Sequence, residues 1–446
     1  MKQGKTAIIG GGLAGSETAW QLAGRGSQVT IFEMKPRFFS PAHSNAHLAE
    51  LVCSNSFRSA DPLSAVGLLK EEMRVLGSLV MQAADETRVP AGKALAVDRD
   101  LFAAAVTSKL EGLSTLTLVR REVSGLDDPV LTGFDQVVIA AGPLAGAALT
   151  RSLVQAIGEA ELFFYDAIAP IVSADSLDMD QLFWASRYDP ESSDYLNCPL
   201  DESRYHVLRR ALLEGEAVRI RDCESLKHFE ACLPVEVLAE RGEQTLAFGP
   251  LKPVGLIDPR TGKRPFAVVQ LRPENREKTL FNLVGFQTRL KHGEQRRAFR
   301  LIPGLEKARF ERLGSMHRNT FVNAPRVLTP ELELQQAADM YLAGQITGVE
   351  GYVESAACGL WLGLHLAGRH RGAGPGVPPA ETALGGLLRH LQSDGVDFQP
   401  MNVNFGLLPG LEIRAKKSRR KELYVQRARE ALQKWRKAAE CEGNTW

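Results

Sequence analysis

The chain contains 446 residues, of which 44% are hydrophobic and 24% charged, and its formal net charge at pH 7 is +1. This composition is that of a soluble globular enzyme and excludes the disordered and fibrous classes. The length exceeds what one core usually holds and predicts two or three domains. No apolar run approaches the roughly 18 residues of a transmembrane helix, so we expect no membrane-spanning segment.

The cysteines and the start of the chain bear on the compartment. The first residues lead almost directly into an apolar strand pattern, so we expect no signal peptide. The cysteines show neither Cys-x-x-Cys spacing nor a dense disulfide framework; they are Cys53, Cys198, Cys223, Cys232, Cys358 and Cys441. Reduced thiols are typical of the cytoplasm, which is the compartment we expect.

A glycine-rich pattern opens the chain. The apolar run 6–9 is followed by Gly10, Gly12 and Gly15 in Gly-x-Gly-x-x-Gly spacing, and a second strand-like run ends in Glu33. In dinucleotide-binding folds the first glycine permits a tight turn, the second lets backbone N–H groups approach a pyrophosphate, and the third lets the helix pack on the sheet. An acidic residue about 20 positions later holds a ribose hydroxyl. Together these features predict a dinucleotide site.

The stretch after the second predicted strand is polar and would lie at the edge of the cofactor cleft. His43 and His47 have i, i+4 spacing, and Cys53 follows them. Prolines disfavour a helix there and no further ligand set is evident, so a metal site is disfavoured. We predict a helix over 62–84, followed by a second apolar helix that ends near residue 110.

The chain then returns to the cofactor. Residues 340–348 predict a strand ending in a glycine turn, and residues 349–369 predict the helix behind it. The N-terminus of that helix would face the electron-rich edge of a flavin; a strand–helix unit without that role is the alternative. The turn contains the candidate cofactor residues Gly344, Gln345, Thr347 and Gly348.

Positive charge is concentrated in two blocks. Residues 251–300 contain twelve Lys or Arg against four Asp or Glu, and residues 414–437 contain eleven against two, which leaves −16 on the rest of the chain. Two basic blocks on an acidic body indicate a polyanion-binding surface, with solvated faces as the alternative. A basic amphipathic helix is predicted at about 415–439.

Two cysteines stand in a chemical context, since Cys53 lies beside the predicted cofactor and Cys232 just before the first basic block. A single cysteine is usually a small buried hydrophobe, the role we assign to Cys358 on its apolar helix. Acidic neighbours disfavour a thiolate at Cys223. Spacing alone does not rank Cys53 against Cys232 as a nucleophile.

Several longer motifs resemble those of the bacterial folate- and FAD-dependent tRNA (uracil-5-)-methyltransferases, the TrmFO family. These motifs are LVCSNS at 51–56, FEACLPVE at 229–236, FGPLKPVG at 248–255, MHRNTF at 316–321 and GQITGVEGYVES at 344–355. The resemblance runs through nearly the whole chain and is least distinctive after Gly372. Motifs of this length, in one order, are far more specific than the glycine pattern.

The resemblance implies C5 methylation of the T-loop uridine 54 of tRNA. It also implies FAD as cofactor, 5,10-methylenetetrahydrofolate as carbon donor and NAD(P)H as reductant, with tRNA and folate as partners and no protein partner evident. Cys232 matches the family's nucleophile toward uracil C6, and Cys53 matches a second functional cysteine beside the flavin. Thiolate addition at C6 makes C5 enolate-like, and the target base must leave its stacked loop.

The predicted fold class is α/β, with a Rossmann-like FAD-binding domain and an inserted mixed α/β domain. The FAD-binding domain comprises residues 1–150 and a return segment, 326–372. The inserted domain, 151–325, would bind substrate or tRNA, and residues 373–446 would form a C-terminal basic helical segment.

Other functions stay open at this point. One is the same chemistry on ribosomal RNA, and another is an MnmG-like flavoprotein that modifies wobble uridine. A flavoprotein that only binds RNA, or a metabolic oxidase with an incidental basic face, belongs to a different class. S-adenosylmethionine as donor is disfavoured, because Ala19 and the return at Gly344 favour FAD.

Overall fold

The computed structural model describes residues 4–158, 162–189, 191–218, 233–372, 374–393, 398–412 and 416–441. In these residues the strands are β1 Lys5–Ile9, β2 Gln28–Glu33, β3 Ser56–Ser59, β4 Arg88–Val89, β5 Ala94–Val97, β6 Leu116–Arg120, β7 Gln136–Ile139, β8 Leu162–Ala167, β9 Ile171–Ser173, β10 Phe183–Ala185, β11 Tyr195–Leu200, β12 Ala267–Pro273, β13 Leu280–Leu283, β14 Phe310–Arg312, β15 Met316–Phe321, β16 Glu333–Leu334 and β17 Ala337–Leu342. The helices are α1 Leu13–Ala23, α2 Ala65–Val75, α3 Leu79–Glu86, α4 Arg99–Glu111, α5 Ala147–Ile157, α6 Glu202–Glu214, α7 Val235–Glu240, α8 Thr245–Phe248, α9 His292–Phe299, α10 Ala324–Val327, α11 Tyr352–Arg371, α12 Ala383–His390 and α13 Lys417–Cys441.

The first sheet has the strand order β16-β17-β7-β1-β2-β6. All its neighbours pair in parallel except β16 and β17, which are antiparallel. Its central strand is apolar on both faces, with Ala7 and Ile8 fully buried, because helices cover both sides of a parallel sheet. The predicted α/β fold class is confirmed. The predicted strands at 6–9 and 28–33 correspond to β1 and β2.

Helices α1 and α11 touch through their backbones. A Cβ atom added at Gly359 of α11 would lie 2.2 Å from the carbonyl oxygen of Ala14 in α1. The Thr18 hydroxyl of α1 donates to the Gly359 carbonyl at 2.9 Å. This close packing brings the turn before α1 beside the turn before α11, although more than 300 residues separate them.

The helix predicted over 62–84 is wrong as a single element. The structure has two helices there, α2 and α3, because Gly77 adopts a left-handed φ of 75°. Ser78 then caps α3, with its hydroxyl accepting the backbone N–H of Met81. A positive φ ends a right-handed helix, and a serine N-cap begins the next one.

The second sheet has the order β10-β11-β12-β13-β9-β14 with antiparallel pairing. It packs against an apolar core of its own, which includes Tyr205, Phe281 and Phe286. Its strands all come from 171–312. Strands β8 and β15 pair with each other. The domain boundaries at 151 and 325 stay a prediction.

The C-terminal helix α13 packs its apolar side against the core around the first sheet, where Val425, Ala428 and Leu432 are buried. Arg429 forms an ion pair with Glu71 of α2 at 2.7 Å. This helix corresponds to the one predicted over about 415–439. In the described parts of the chain, no helix is both long and apolar enough to cross a membrane.

Candidate active site

The turn between β1 and α1 holds three glycines with different structural tasks. Gly10 has a φ of +101°, and a Cβ atom at Gly15 would lie 2.0 Å from the Gly10 carbonyl oxygen. Both positions therefore require glycine for the fold of the protein itself. A Cβ atom at Gly12 would meet nothing within 4 Å, so the protein alone does not require glycine there.

The N-terminus of α1 is suited to binding an anion. Its N-cap residue is Gly12, which offers no side-chain cap, and its first turn contains no acidic residue. Unsatisfied N–H groups and the helix dipole at such an end attract a phosphate. The open space at Gly12 is where such a group would approach the backbone.

A cavity of about 130 Å³, called the glycine-turn cavity below, lies over this turn. It is walled by the two glycine turns and by the segment after β7. The lining includes Gly10, Gly11, Gly12, Glu33, Lys35, His43, Glu50, Val52, Gly142, Pro143, Leu144, Gly344, Gln345 and Tyr352. A smaller cavity of about 50 Å³ lies next to it, and Gly10 and Glu33 line both cavities. An elongated ligand would bridge the two along the carboxyl ends of the parallel strands, the usual ligand position in such sheets.

Glu33 ends β2 and is 5% exposed. Its carboxylate accepts the backbone N–H of Gly11 at 2.8 Å and that of Lys35 at 2.9 Å. These bonds hold the glycine turn and β2 together. The sequence pattern did not indicate this supporting task, and the assignment of Glu33 to a ribose hydroxyl stays a prediction.

The second glycine turn contributes its residues unequally. Gly344 and Gln345 line the glycine-turn cavity, and Gly344 has a φ of +82°. Thr347 is fully buried, and its hydroxyl donates to the Gly344 carbonyl at 2.8 Å. Gly348 closes the short helical turn with a φ of +95°. Thr347 and Gly348 therefore shape the turn that presents Gly344 and Gln345.

A second cavity of about 280 Å³, called the Cys53 cavity below, adjoins the first. The two share Val52, Pro143, Leu144, Gln345 and Tyr352. Side chains from several distant segments line it, among them Cys53, Arg58, Arg272, Gln287, His317, Asn319 and Asn402. Of these, the sequence pattern does not indicate Arg58, Arg272, Gln287 or Asn402, because an isolated arginine or amide carries no spacing signal.

Three residues hold the loop that carries Cys53. The Tyr352 hydroxyl accepts the backbone N–H of Cys53 at 2.7 Å and that of Ser54 at 3.1 Å. Arg272 donates to the Ser54 hydroxyl at 2.8 Å. Arg99 donates to the Leu51 carbonyl at 2.6 Å. Cys53 is half-buried, so its thiol is presented to the cavity on a fixed backbone.

Tyr352 lies at the junction of both cavities. Burial raises the pKa of its phenol, and electrostatic interaction with the neighbouring Cys53 raises that pKa further, so the phenol keeps its proton at neutral pH. Its oxygen already accepts two N–H groups. Within the described residues the hydroxyl proton has no acceptor, which leaves that proton for a ligand at the junction.

Burial also sets the protonation state of His317 in the Cys53 cavity. Desolvation lowers the pKa of its imidazole, and the positive charge of Arg312 lowers it further. The imidazole is therefore neutral at pH 7. One ring nitrogen lies 3.0 Å from the Ser315 hydroxyl.

The cysteines differ in setting. Burial raises the pKa of the Cys358 thiol to about 11, in agreement with the structural role predicted for it. Cys223 and Cys232 lie outside the described residues. Three residues after Cys232, the Val235 N–H donates to the Gln287 carbonyl at 2.7 Å, and Gln287 lines the Cys53 cavity.

His43 and His47 lie on one loop after β2. His43 lines the glycine-turn cavity and lies 2.6 Å from the Ser40 hydroxyl, whereas His47 is exposed. In the part of the chain that the structure describes, no group of three or more His, Cys, Asp or Glu side chains is arranged to hold a metal ion.

Comparison with known proteins gives consistent matches. The family model described as Glucose inhibited division protein A (GIDA) matches residues 5–373. A protein of Oleidesulfovibrio alaskensis named methylenetetrahydrofolate–tRNA-(uracil-5-)-methyltransferase TrmFO is 62% identical over 429 residues, covering 96% of each chain. The protein of that name from Geobacter sulfurreducens is 58% identical over 434 residues, covering 97% of this chain and 99% of the relative.

Among solved structures, Aquifex aeolicus GidA in its form II crystal superposes with a TM-score of 0.67 at 16% identity, covering 97% of this chain and 73% of that one. At this identity the likeness shows the fold alone. The relatives at 58–62% identity extend the match over nearly the full length of both chains. The chain therefore belongs to the GIDA family and, within it, to the TrmFO family, as its motifs indicated.

Proposed function

We propose that this protein methylates C5 of the T-loop uridine 54 of tRNA, with a carbon from 5,10-methylenetetrahydrofolate and with FAD as cofactor. The observation that carries the proposal is the 62% identity to a relative of that name over 96% of both chains. The adjoining cavities support it, because the residues that line one suit a dinucleotide and the other places a cysteine beside it.

The residues of the glycine-turn cavity fit FAD. Gly12 and the uncapped start of α1 would hold the pyrophosphate, and Glu33 would lie beside the ribose. Gly344 and Gln345 would lie along the flavin end, toward the Cys53 cavity. When bound, reduced FAD would carry the folate-derived carbon and supply the reducing electrons, with NAD(P)H as the source of those electrons.

The thiols and their neighbours would act on the base. We assign to Cys232 the attack of its thiolate on uracil C6, which turns C5 into an enolate-like nucleophile. After the carbon is joined, the proton at C5 leaves and the bond from that carbon to its carrier breaks. The two reducing electrons and a proton then bring the carbon to the methyl level, and elimination of the thiolate restores the ring. Cys53 would act from the flavin side of the Cys53 cavity, on a loop fixed by Tyr352, Arg272 and Arg99.

Folate and base would share the Cys53 cavity. Arg58 and Arg272 line this cavity with guanidinium groups that have protein partners, since Arg58 pairs with the buried Glu354 and Arg272 donates to Asn55 and Ser54. Neutral His317 offers an uncharged ring. Tyr352 would hold a ligand atom at the junction through its hydroxyl proton. These assignments are part of the proposal.

The tRNA backbone would lie on basic surfaces, but the two blocks are not equally available. In the first block Arg297 pairs with Glu294 at 2.6 Å, and Arg300 donates to the Ala308 carbonyl. The helix α13 exposes more charge; its exposed basic residues include Arg419, Arg420, Lys421, Lys434 and Lys437. We therefore expect α13 to contribute more to phosphate binding than α9.

A direct assay tests the proposal. Purified protein would be incubated with unmodified tRNA, methylenetetrahydrofolate labelled in its transferable carbon, and NAD(P)H; we expect label at C5 of uridine 54. A tRNA with cytidine at that position is the matched control and should stay unlabelled. Label in ribosomal RNA instead, or modification of the wobble uridine, would replace the proposed substrate with that RNA.

A further inference from the structure

An exposed aromatic ring lies at the end of α8, beside the core of the second sheet. Among the described residues, Phe248 has the most exposed large apolar side chain, at 78%. Single exposed apolar residues need no explanation. Here, however, Tyr188 and Ile257 are also more than half exposed, at 58% and 55%. Ile257 shares the loop 248–264 with Phe248, and Tyr188 packs against that loop.

The loop 248–264 is held in place by backbone contacts. The Leu251 N–H donates to the Leu246 carbonyl at 2.9 Å, and the Val268 N–H donates to the Leu251 carbonyl at 2.8 Å. Arg187 donates to the Pro250 carbonyl at 3.0 Å. The ring of Phe248 is therefore presented on an ordered backbone, which lowers the entropic cost of binding a partner.

This loop is continuous with the wall of the Cys53 cavity. Pro250 packs on Gly285, where an added Cβ atom would lie 2.5 Å from the proline Cβ. Gln287, two residues further along that turn, lines the cavity. A ligand that reaches into the Cys53 cavity over this wall would thus pass near Phe248.

The charge of the loop is positive. It contains four Lys or Arg and one acidic residue, Asp258, which Arg260 neutralises in an ion pair of 2.7 Å. Lys252 lies over the Tyr188 ring, 5.4 Å from its centroid. Lys263 and Arg264 are exposed, and neither has an ion-pair partner among the residues that the structure describes. An aromatic ring among uncompensated cations is the pattern that binds unstacked nucleotides.

We propose that the loop 248–264 receives the unstacked nucleotides of the tRNA loop, with Phe248 stacked on a base and with Lys252, Lys263 and Arg264 facing phosphates. The identification of the RNA as tRNA rests on the proposed function. A protein partner, or a second copy of this chain, would not need the excess of cations and is the outcome to exclude.

The test measures binding of unmodified tRNA to the full-length flavoprotein. Phe248→Ala should weaken binding roughly 5- to 150-fold, because loss of one base–aromatic stack costs about 1–3 kcal/mol. Phe248→Trp should keep wild-type affinity, since a larger ring stacks at least as well. Lys263→Gln with Arg264→Gln should reduce the dependence of affinity on salt concentration, because fewer counterions are released.

Leu101→Ala is the matched control, since Leu101 is another exposed apolar residue, 44% exposed, on the distant helix α4. It should leave tRNA affinity unchanged. FAD content and thermal melting of every variant show that the fold is intact; Phe248 should affect neither, because its ring lies in water.

The outcomes separate this proposal from the proposed function. If the protein binds tRNA, and Phe248→Ala weakens binding while uridine 54 is not methylated, the surface stands and the proposed function fails. If Phe248→Ala binds as tightly as wild type, the surface is rejected whatever the activity. Absence of any RNA binding, or a dimer that Phe248→Ala dissociates, overturns the surface as an RNA site.

Discussion

The glycine-turn cavity and the Cys53 cavity adjoin, yet the parts of the chain that line them differ. The turn 10–14 and the segment 140–144 supply much of the lining of the first. The second is lined by side chains drawn from residues between Ala42 and Asn402. A glycine turn depends on backbone geometry that glycine permits. A site made of side chains depends instead on every segment that holds those side chains in place.

The largest expected effect comes from the cysteine that we propose for attack on the base. Cys232→Ala should reduce methylation to background, because no thiolate would add to C6, while FAD content stays at wild-type level. A tRNA carrying 5-fluorouracil at the target should form a covalent adduct with the wild-type protein, because fluorine replaces the proton that must leave C5.

Peptide mapping of that adduct decides between the two thiols. We expect the adduct on Cys232, with Cys53→Ala impaired in turnover but still able to form it. An adduct on Cys53, with Cys232→Ala still methylating, would reverse the assignment and place the nucleophile within the described Cys53 cavity.

The next effect separates two glycines of one turn. Gly12→Val should lower FAD affinity by roughly 5- to 150-fold, because overpacking against the bound pyrophosphate costs about 1–3 kcal/mol. Its melting temperature without FAD should stay near that of the wild-type apoprotein, since an added Cβ meets no protein atom. FAD content is measured by absorbance after gel filtration.

Gly15→Ala is the contrasting variant at the same turn. Its Cβ atom would lie 2.0 Å from the Gly10 carbonyl oxygen, so the apoprotein itself should melt at a lower temperature. Gly293→Val, at a position with equally open surroundings on α9, should change neither quantity. Full flavin retention in Gly12→Val would contradict the assignment of the pyrophosphate to this turn.

A smaller effect is expected where side chains hold a loop. Tyr352→Phe removes the acceptor of two backbone N–H groups, and an unsatisfied buried donor costs about 1–3 kcal/mol. The Cys53 loop should open more often, so alkylation of Cys53 by iodoacetamide should accelerate several-fold, as measured by mass spectrometry of the Cys53 peptide.

The control for that measurement is Tyr205→Phe, which loses one hydrogen bond to the Glu243 carbonyl in the second core and should leave Cys53 alkylation unchanged. If Tyr352→Phe also leaves the alkylation rate unchanged, Tyr352 does not hold the loop, and its task is confined to the ligand.

The smallest effect concerns protons in the Cys53 cavity. The pKa of His317 is lowered in the folded protein by burial and by Arg312. The unfolded chain therefore binds more protons below about pH 6.5, and the contribution of His317 to the free energy of unfolding is lost as pH falls through its folded pKa. In urea denaturation, His317→Gln should lose less stability than wild type between pH 7 and pH 5.

An exposed histidine, His47, provides the control. His47→Gln should follow the wild-type dependence over the same interval. If His317→Gln also follows it, the imidazole is not desolvated, and the Cys53 cavity is open enough to hydrate the ring.

Local pattern sufficed for the first glycine turn, because its parts are contiguous. The strand 28–33, the glycine turn and Glu33 follow from residues within one strand–helix–strand unit, where spacing and chemistry are tied to a single backbone geometry. Motif resemblance likewise identified the family. Local pattern failed at 62–84, where a single left-handed residue, Gly77, divides the helix.

Only the tertiary structure decided the Cys53 cavity. Nothing in the sequence joins Arg272, His317, Tyr352 and Asn402 to Cys53, because they come together through sheet pairing and helix packing between distant segments. The same holds for Glu33, whose carboxylate serves the Gly11 N–H, and for Thr347, which turned out to support a turn. The backbone geometry of one glycine turn depends on contiguous residues, whereas contacts between distant side chains depend on long-range packing. The sequence by itself therefore determined the first glycine turn. The tertiary structure brought the second turn beside it and formed the Cys53 cavity.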